Sequence, residues 1–327
     1  MRITENTTLA TVRESLNKSR SRMNDLQKQN ASLKRINAPS DDPSGTAKLM
    51  SIRNEHLDNT QYEKNSNLAK TFLNYTDSSL EELTNIVVRA KELALGQASS
   101  AANGQESRLM VAEEIRNLMS DMSAISNRKL GDRYIFSGYK TTQQPFTSEG
   151  KYSGDDGSIT VEVQKDVFIG MNLPGREVFL GPNKVDPRAP NGINGVDQGA
   201  NSVSPELAME QAASRPSEDI FRTMEALRVG LMTNDVDVIR STLNPLDKIR
   251  DRVITARAQV GSRVQGIENA VANMTRSNVF NSELSSSIED ADMIQVVSDM
   301  AKEETVLRAS LQASNKLVQP TLLDFLK

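Results

Sequence analysis

The sequence predicts a mainly α protein: an elongated helical-bundle or coiled-coil rod with a small β-rich inserted domain and with its N- and C-terminal helices antiparallel at one end. Three observations predict this. Long stretches at both ends repeat apolar residues at alternating spacings of three and four, the signature of a helical seam. Most of the glycines and all of the clear strand chemistry fall in one central stretch, residues 131–205. Aromatic residues make up only 4% of the chain, with no Trp, so the cores must be built mainly from Leu, Ile, Val, Met and Ala. An insertion in the middle returns the chain to where it began, which sets the first and last helices side by side in opposite directions.

The first segment, residues 1–42, is a terminal assembly helix and a joint. Residues 1–37 read as helix, with Leu9, Val12, Leu16, Ser19, Met23, Leu26, Asn30 and Leu33 on one seam. "KRINAPSDDPSGTA" then interrupts it. Pro39 drives Ala38 out of the α region, so the helix ends by Asn37. Asp42 is an N-cap and Pro43 a first helical residue, so a helix restarts there.

Residues 43–130 form the N-terminal half of a helical core. Leu68, Phe72, Tyr75, Ser79, Leu83, Ile86, Ala90 and Leu93 make its seam. Asn103-Gly104 reads as a turn. A further helix carries Leu109, Ala112, Ile115, Leu118, Met119, Met122 and Ile125 on a wide apolar face and stops near Leu130-Gly131.

Residues 131–205 are the β-rich inserted outer domain. Ile159, Val161 and Val163 alternate with Thr160, Glu162 and Gln164, a half-buried strand, and Gly154–Gly157 reads as a tight turn before it. The loop "GPNKVDPRAPNGINGVDQG" follows.

Residues 206–281 return to helix near Ser217. "FRTMEALRVGLMTN" is one amphipathic segment, and Asn244-Pro245 signals the start of a longer one. Leu246, Ile249, Val253, Ala256 and Val260 continue through a four-residue stutter into Val264, Ile267, Val271 and Met274. Gly261 inside this helix costs about 1 kcal/mol against Ala, and a close approach by a neighbouring helix is the expected compensation.

Residues 282–327 are the second joint and the C-terminal assembly helix. Ser286 and Glu289 have capping-box spacing. The seam then resumes at Met293, Val297, Met300, Glu304, Leu307, Leu311, Ser314 and Val318 and ends at Gln319-Pro320.

The two terminal segments differ in charge. Residues 1–40 hold eight basic against three acidic side chains, and residues 283–327 hold four against eight. Opposite arms attract, which steers their pairing rather than driving it, since an exposed pair contributes about 0–1 kcal/mol. A two-helix hairpin of this kind buries little apolar surface, so the expectation is that it gains order by packing against other copies.

Several classes of function are disfavoured. The single His and the absence of Cys leave no material for a His-rich or thiolate metal centre, so no metal site is expected. No catalytic constellation and no cofactor-binding motif is found; "GSRVQG" lacks the Gly-Lys-Ser/Thr ending of a phosphate loop. The net charge of −4 argues against nucleic acid as a partner. There is no apolar run of membrane-spanning length, and the first residues lack the apolar core of a secretory signal.

Three segments resemble bacterial flagellins and flagellin-like axial proteins. "LKRINAPSDDPSGTA" is similar to their N-terminal joint, "ARAQVGSRVQGIENA" to their C-terminal core helix, and "SSSIEDADMIQVVSDMAKEETVLRASLQASNKL" to their C-terminal joint and terminal helix. "MRITENT", "GDRYIFSGYKTTQQPF" and "TLLDFLK" are similar to a junction-type member of that family. Leu33 departs from the glycine usual before "KRIN". The resemblance implies a structural, non-enzymatic component of the flagellum, exported unfolded by the type III route with an export chaperone and located outside the cell at the hook–filament junction. It implies a ring of copies with the first hook-associated junction protein and flagellin as axial neighbours. A short filament flagellin is the alternative, and a soluble coiled-coil scaffold a third.

Overall fold

The computed structural model describes residues 5–98, 104–147, 150–181 and 219–318. Its helices are α1 (Glu5–Ser32), α2 (Pro43–Gln97), α3 (Gln105–Ser126), α4 (Ile220–Met232), α5 (Val236–Glu289) and α6 (Met293–Val318). Two antiparallel strand pairs lie between α3 and α4. β1 (Lys129–Leu130) pairs with β2 (Arg133–Tyr134), and β3 (Thr160–Gln164) pairs with β4 (Val167–Gly170), setting Val161 opposite Ile169. A single π-helical turn covers Arg176–Leu180.

The chain forms two compact units, residues 1–60 with 274–327, and residues 61–273. These divisions fall inside α2 and α5, not at the helix breaks that composition suggests. The reason is visible in the smaller unit. The first turns of α2 and the last turns of α5 are bonded to each other, with Asn59 Nδ2 donating to Asn278 Oδ1 at 2.8 Å and Ser277 Oγ to Glu55 Oε1 at 3.1 Å.

In the larger unit α2 and α5 run antiparallel. Lys70 meets Glu268 at 2.7 Å, Arg257 meets Asp77 at 3.1 Å, and Lys91 meets Asp247 at 2.5 Å, one number rising as the other falls. Leu73, Leu80, Leu83, Val87, Ala90 and Ala94 of α2 are buried in this core. Leu68, expected on the seam, is exposed. Ala69 and Leu73 are buried in its place, so the buried stripe is displaced by one residue at its start. Ile115 and Met122 of α3, Met224 and Leu227 of α4, and Ile249, Val253 and Val260 of α5 complete the helical core.

The few aromatics are concentrated rather than spread. Phe146 packs on Phe179 at 4.9 Å, on Tyr152 at 5.1 Å and on Phe221 at 5.5 Å, and Phe136 meets Phe179 edge-on at 5.3 Å. This cluster anchors the inserted region to α4, so the core there is aromatic and not purely aliphatic.

Val163 is buried and Val161 half-buried, with Thr160 outward. The hairpin turn lies at Lys165-Asp166, where Asp166 takes a positive φ of 62°. Gly154–Gly157 is instead a tied loop. Asp155 Oδ1 accepts from the backbone N–H of Tyr139 at 2.6 Å and of Gly157 at 3.0 Å. The loop after Gly181, the boundary at residue 205 and the Ser217 start lie outside the described residues.

Two further expectations are corrected. α5 begins at Val236, capped by Asp235 Oδ1, which accepts from Asp237 N–H at 3.0 Å and Val238 N–H at 3.2 Å. Asn244-Pro245 therefore lies within a helix. Proline removes one amide bond there, and the helix runs through because Ile239, Leu246 and Ile249 are fully buried on either side. Among the described residues Gly261 has no neighbouring helix close by: a Cβ there meets nothing within 4 Å. It is simply an exposed glycine on α5. The glycine under a close neighbour is Gly266, where a Cβ would stand 3.3 Å from Ile169 Cδ1.

Candidate assembly surface at the terminal helices

In the smaller unit α1 and α6 pair antiparallel. Val12, Leu16, Ser19, Met23, Leu26 and Asn30 turn inward on α1, with Ser19 and Met23 buried. Their alternation by four and three is what keeps one stripe of a helix against one partner. On α6 the inward line is Met293, Val296, Met300, Glu303 and Leu307. Ser19 Oγ donates to Glu303 Oε1 at 2.9 Å, so the polar members of the two lines face each other. The side chains of Leu9 and Val318 lie outside the described residues.

α6 carries a second line. Met293, Met300 and Leu307 belong to the expected seam and are half-buried, but Val297 is 48% exposed and Leu311 39%. Glu304, expected between them, is outward and paired with Arg308 at 2.5 Å. Two heptad lines share the same first members on this helix, and a rotation of about 100° separates their alternates. Val296 and Glu303 take the inside, which leaves Val297, Glu304 and Leu311 on the outside.

The joint is built around Leu33. α1 ends at Ser32, and Leu33 takes a left-handed φ of 60° with its side chain 57% exposed. The helix thus stops well before Asn37, and Leu33 is not a seam residue. Chirality makes this conformation costly for a residue with a Cβ, which is the physical use of the glycine usual at this place in the family it resembles. Pro39 and Pro43 are exposed, and Asp42 is half-buried. Pro39 sits second in a turn closed by Asp41 N–H donating to Ala38 C=O at 3.0 Å.

Two carboxylates hold the joint. Asp41 Oδ2 accepts from Ala38 N–H at 2.8 Å and Asn37 N–H at 3.0 Å, and these bonds hold its carboxyl below the ordinary range. Asp42 Oδ1 accepts from Gly45 N–H and Ser44 Oγ, each at 2.9 Å, which lowers its carboxyl likewise and caps α2. Gly45 is required by space: a Cβ would stand 2.5 Å from Asp42 Oδ2 and 2.8 Å from the buried Ile36 Cδ1.

The second strand of the joint comes from the other end of the chain. Arg35 N–H donates to Glu289 C=O at 2.7 Å and Ala291 N–H to Leu33 C=O at 3.1 Å, an antiparallel bridge. The buried Glu289 carboxylate receives Lys34 Nζ at 2.7 Å and Arg53 Nη2 at 2.8 Å. Burial pushes its carboxyl up, but the hydrogen bonds from Lys34 and Arg53 outweigh this and leave it below its ordinary value. Ser286 lies within α5 and bonds Asp290, so it caps nothing; the cap of α6 is Asp292, which accepts from Ile294 N–H at 3.0 Å. Sequence reasoning did not find Ile36, Gly45, Arg53 or the role of Glu289. "NAPSD" carries an Asp-turn signal for Asp41, whereas the Lys34–Glu289 contact spans 255 positions and has no local signature.

Comparisons with known proteins agree with this architecture. Residues 3–141 match the family described as the bacterial flagellin N-terminal helical region. Flagellar hook-associated protein 3 of Escherichia coli is 23% identical over 292 residues, covering 86% of this chain and 85% of the relative. Flagellin of Listeria innocua is 23% identical over 319 residues, covering 95% and 93%. Among solved structures, a flagellar hook-associated protein of Vibrio parahaemolyticus superposes with a TM-score of 0.61 at 18% identity, over 76% of this chain and all of that one. The flagellar junction protein FlgL of Legionella pneumophila superposes with a TM-score of 0.54 at 17% identity, over 76% and 100%. Residues 3–141 thus match the bacterial flagellin N-terminal helical region, and the chain as a whole is similar to flagellar hook-associated protein 3 and to flagellins.

Proposed function

We propose that this chain is a structural, non-enzymatic axial component of the bacterial flagellum that links hook to filament, assembled through its terminal helices after type III export. Copies of the chain form a ring outside the cell, between a hook-associated junction protein and flagellin, and an export chaperone holds the terminal helices before export. Val12, Leu16, Met23, Leu26, Met293, Met300 and Leu307 form the pairing seam. Pro39, Asp42 and Pro43 belong to the joint.

The observation that carries this reading is that apolar side chains stand exposed on α6 outside its contact with α1. A helix whose inner line is satisfied by α1 and whose outer line holds exposed Val297 and Leu311 is suited to more than one partner. Exposed apolar side chains on a helix already paired within its own chain are what a subunit of a tube presents to its neighbours.

The test is genetic. Cells lacking the gene are expected to secrete flagellin monomer while bearing hooks without filaments. Normal filaments on such cells would overturn the reading. The Listeria relative, matched along almost its whole length, favours a second reading as a short filament flagellin. Growth of the purified chain into long filaments would establish that reading instead.

A further inference from the structure

We propose that α6 is a two-position helix, which turns about its own axis between two seams that α1 accepts almost equally. The device belongs to the terminal hairpin itself and stands whatever the chain assembles with.

The two lines on α6 are near copies of each other. They share Met293, Met300, Leu307 and Ser314, all half-buried. Between these shared members the inner line places Val296, Glu303 and Ser310, and the outer line places Val297, Glu304 and Leu311. The first two layers therefore exchange valine for valine and glutamate for glutamate. Adjacent positions on a helix stand about 100° apart, so a turn of about 50° moves the centre of the seam from one line to the other.

The structure pairs the inner line: Val296 is 6% exposed against 48% for Val297, and Ser19 bonds Glu303. In antiparallel helices that bond sets Leu26 level with Val296 and Val12 level with Ser310. Opposite Val12 the inner line thus offers a hydroxyl, where the outer line offers leucine. The turn replaces Ser310 by Leu311 in that layer, which favours the outer line through apolar burial. It also carries Glu304 to Ser19 in place of Glu303, so the polar pair is remade. What it gives up is the exposed ion pair of Glu304 with Arg308, and an exposed pair contributes little. The shared members lie on both seams and do not oppose the turn. Two packings of one sequence therefore lie close in energy.

The two positions show a neighbour different faces. With the inner line paired, Val297 and Leu311 stand outward; with the outer line paired, Val296 and Ser310 do. A neighbour that covers apolar side chains holds the first position and a polar neighbour holds the second, since a partner shifts such an equilibrium by its differential affinity alone. One hairpin can then fit two unlike neighbours.

The chain contains no Cys, so a pair of introduced thiols reports one contact. In the purified full chain, Leu26→Cys is combined with Val296→Cys, with Val297→Cys or with the outward-facing Ser298→Cys, and intramolecular disulfide formation is timed by gel mobility. The Val297 pair is expected to close at a rate within about tenfold of the Val296 pair, and the Ser298 pair about a hundredfold more slowly or worse. A difference of more than about tenfold between the first two pairs means a single fixed seam and overturns the proposal. A Ser298 pair that keeps pace with them means no defined seam and overturns it as well. Should the Leu26 thiol melt the hairpin, Val12→Cys combined with Ser310→Cys or with Leu311→Cys reads the same choice in another layer, under the same criterion. As a second measurement, Ser310→Leu adds apolar surface to the inner line and is expected to raise the rate of the Val296 pair over that of the Val297 pair by about threefold or more. An unchanged ratio overturns the proposal.

Discussion

Ser19 and Glu303 are hydrogen-bonded at 2.9 Å across the paired terminal helices, so a buried hydroxyl on α1 meets a half-buried carboxylate on α6. A polar pair inside an otherwise apolar seam sets register, because any slip of one helix leaves both groups facing methyls. Glu303→Ala strands the Ser19 hydroxyl and is expected to destabilise the hairpin by about 1 kcal/mol. Replacing both residues by Leu should instead stabilise the pair while loosening its register. Amide exchange along α1 reads the first effect. Cross-linking of introduced thiols at aligned and misaligned positions reads the second.

Leu33 holds a left-handed φ of 60° with most of its side chain in solvent. Leu33→Gly removes the Cβ strain and loses little packing, and the greater freedom of glycine in the unfolded chain offsets only part of the gain. The expected outcome is a stabilisation of about 0.5–1 kcal/mol in urea unfolding of the joint. A loss of stability would show that Leu33 packs on something beyond this chain's own joint.

Gly45 and Gly261 are expected to respond with opposite signs. Gly45→Ala drives a methyl into Asp42 Oδ2 and Ile36 Cδ1 and should cost about 1–3 kcal/mol. Gly261→Ala places its methyl in open space on an exposed helical position and should stabilise by about 0.5–1 kcal/mol. Paired thermal melts of the two variants check both.

The joint is expected to loosen in acid. Asp41, Asp42 and Glu289 all have carboxyls below their ordinary values in the folded chain. Folded-state values below the unfolded ones mean that the unfolded chain binds more protons. The stabilisation is therefore complete above about pH 4–5 and is lost as pH falls through the depressed values. Exchange protection at Arg35 and Ala291 should fall before that of α3 as the solution is acidified. Equal loss at both places would count against the joint as the acid-sensitive element. Glu289→Gln should weaken the joint at neutral pH, since Lys34 and Arg53 then lose their shared charge, and should flatten its acid response.

Much of this fold is legible in the sequence, but unevenly. The inward line of α1, from Val12 to Asn30, follows directly from spacing, because a single apolar stripe can face only one way. On α6 the sequence offers Val296 and Val297 side by side, and both continue a heptad from Met293. Periodicity cannot choose between them; Ser19 opposite Glu303 does. The break between α1 and α2 is written in two prolines, yet its actual stop at Leu33 is a backbone conformation that no side chain announces. Asn244-Pro245 looks like a helix start because both residues favour one, and the buried line from Ile239 to Ile249 overrules them.

By itself, then, the amino-acid order determined that this chain is mainly helical, that a break follows its first helix, and which family it resembles, since those follow from the side chains of near neighbours. Only the tertiary structure decided that Glu289 closes the joint with Lys34 and Arg53, that Asn281 is buried with no acceptor for its Nδ2 among the described residues, and that Ile294 stands in solvent. The reason is distance along the chain. Arg35 reaches the carbonyl of Ile288 across 253 positions, and a contact of that span leaves no local pattern to read.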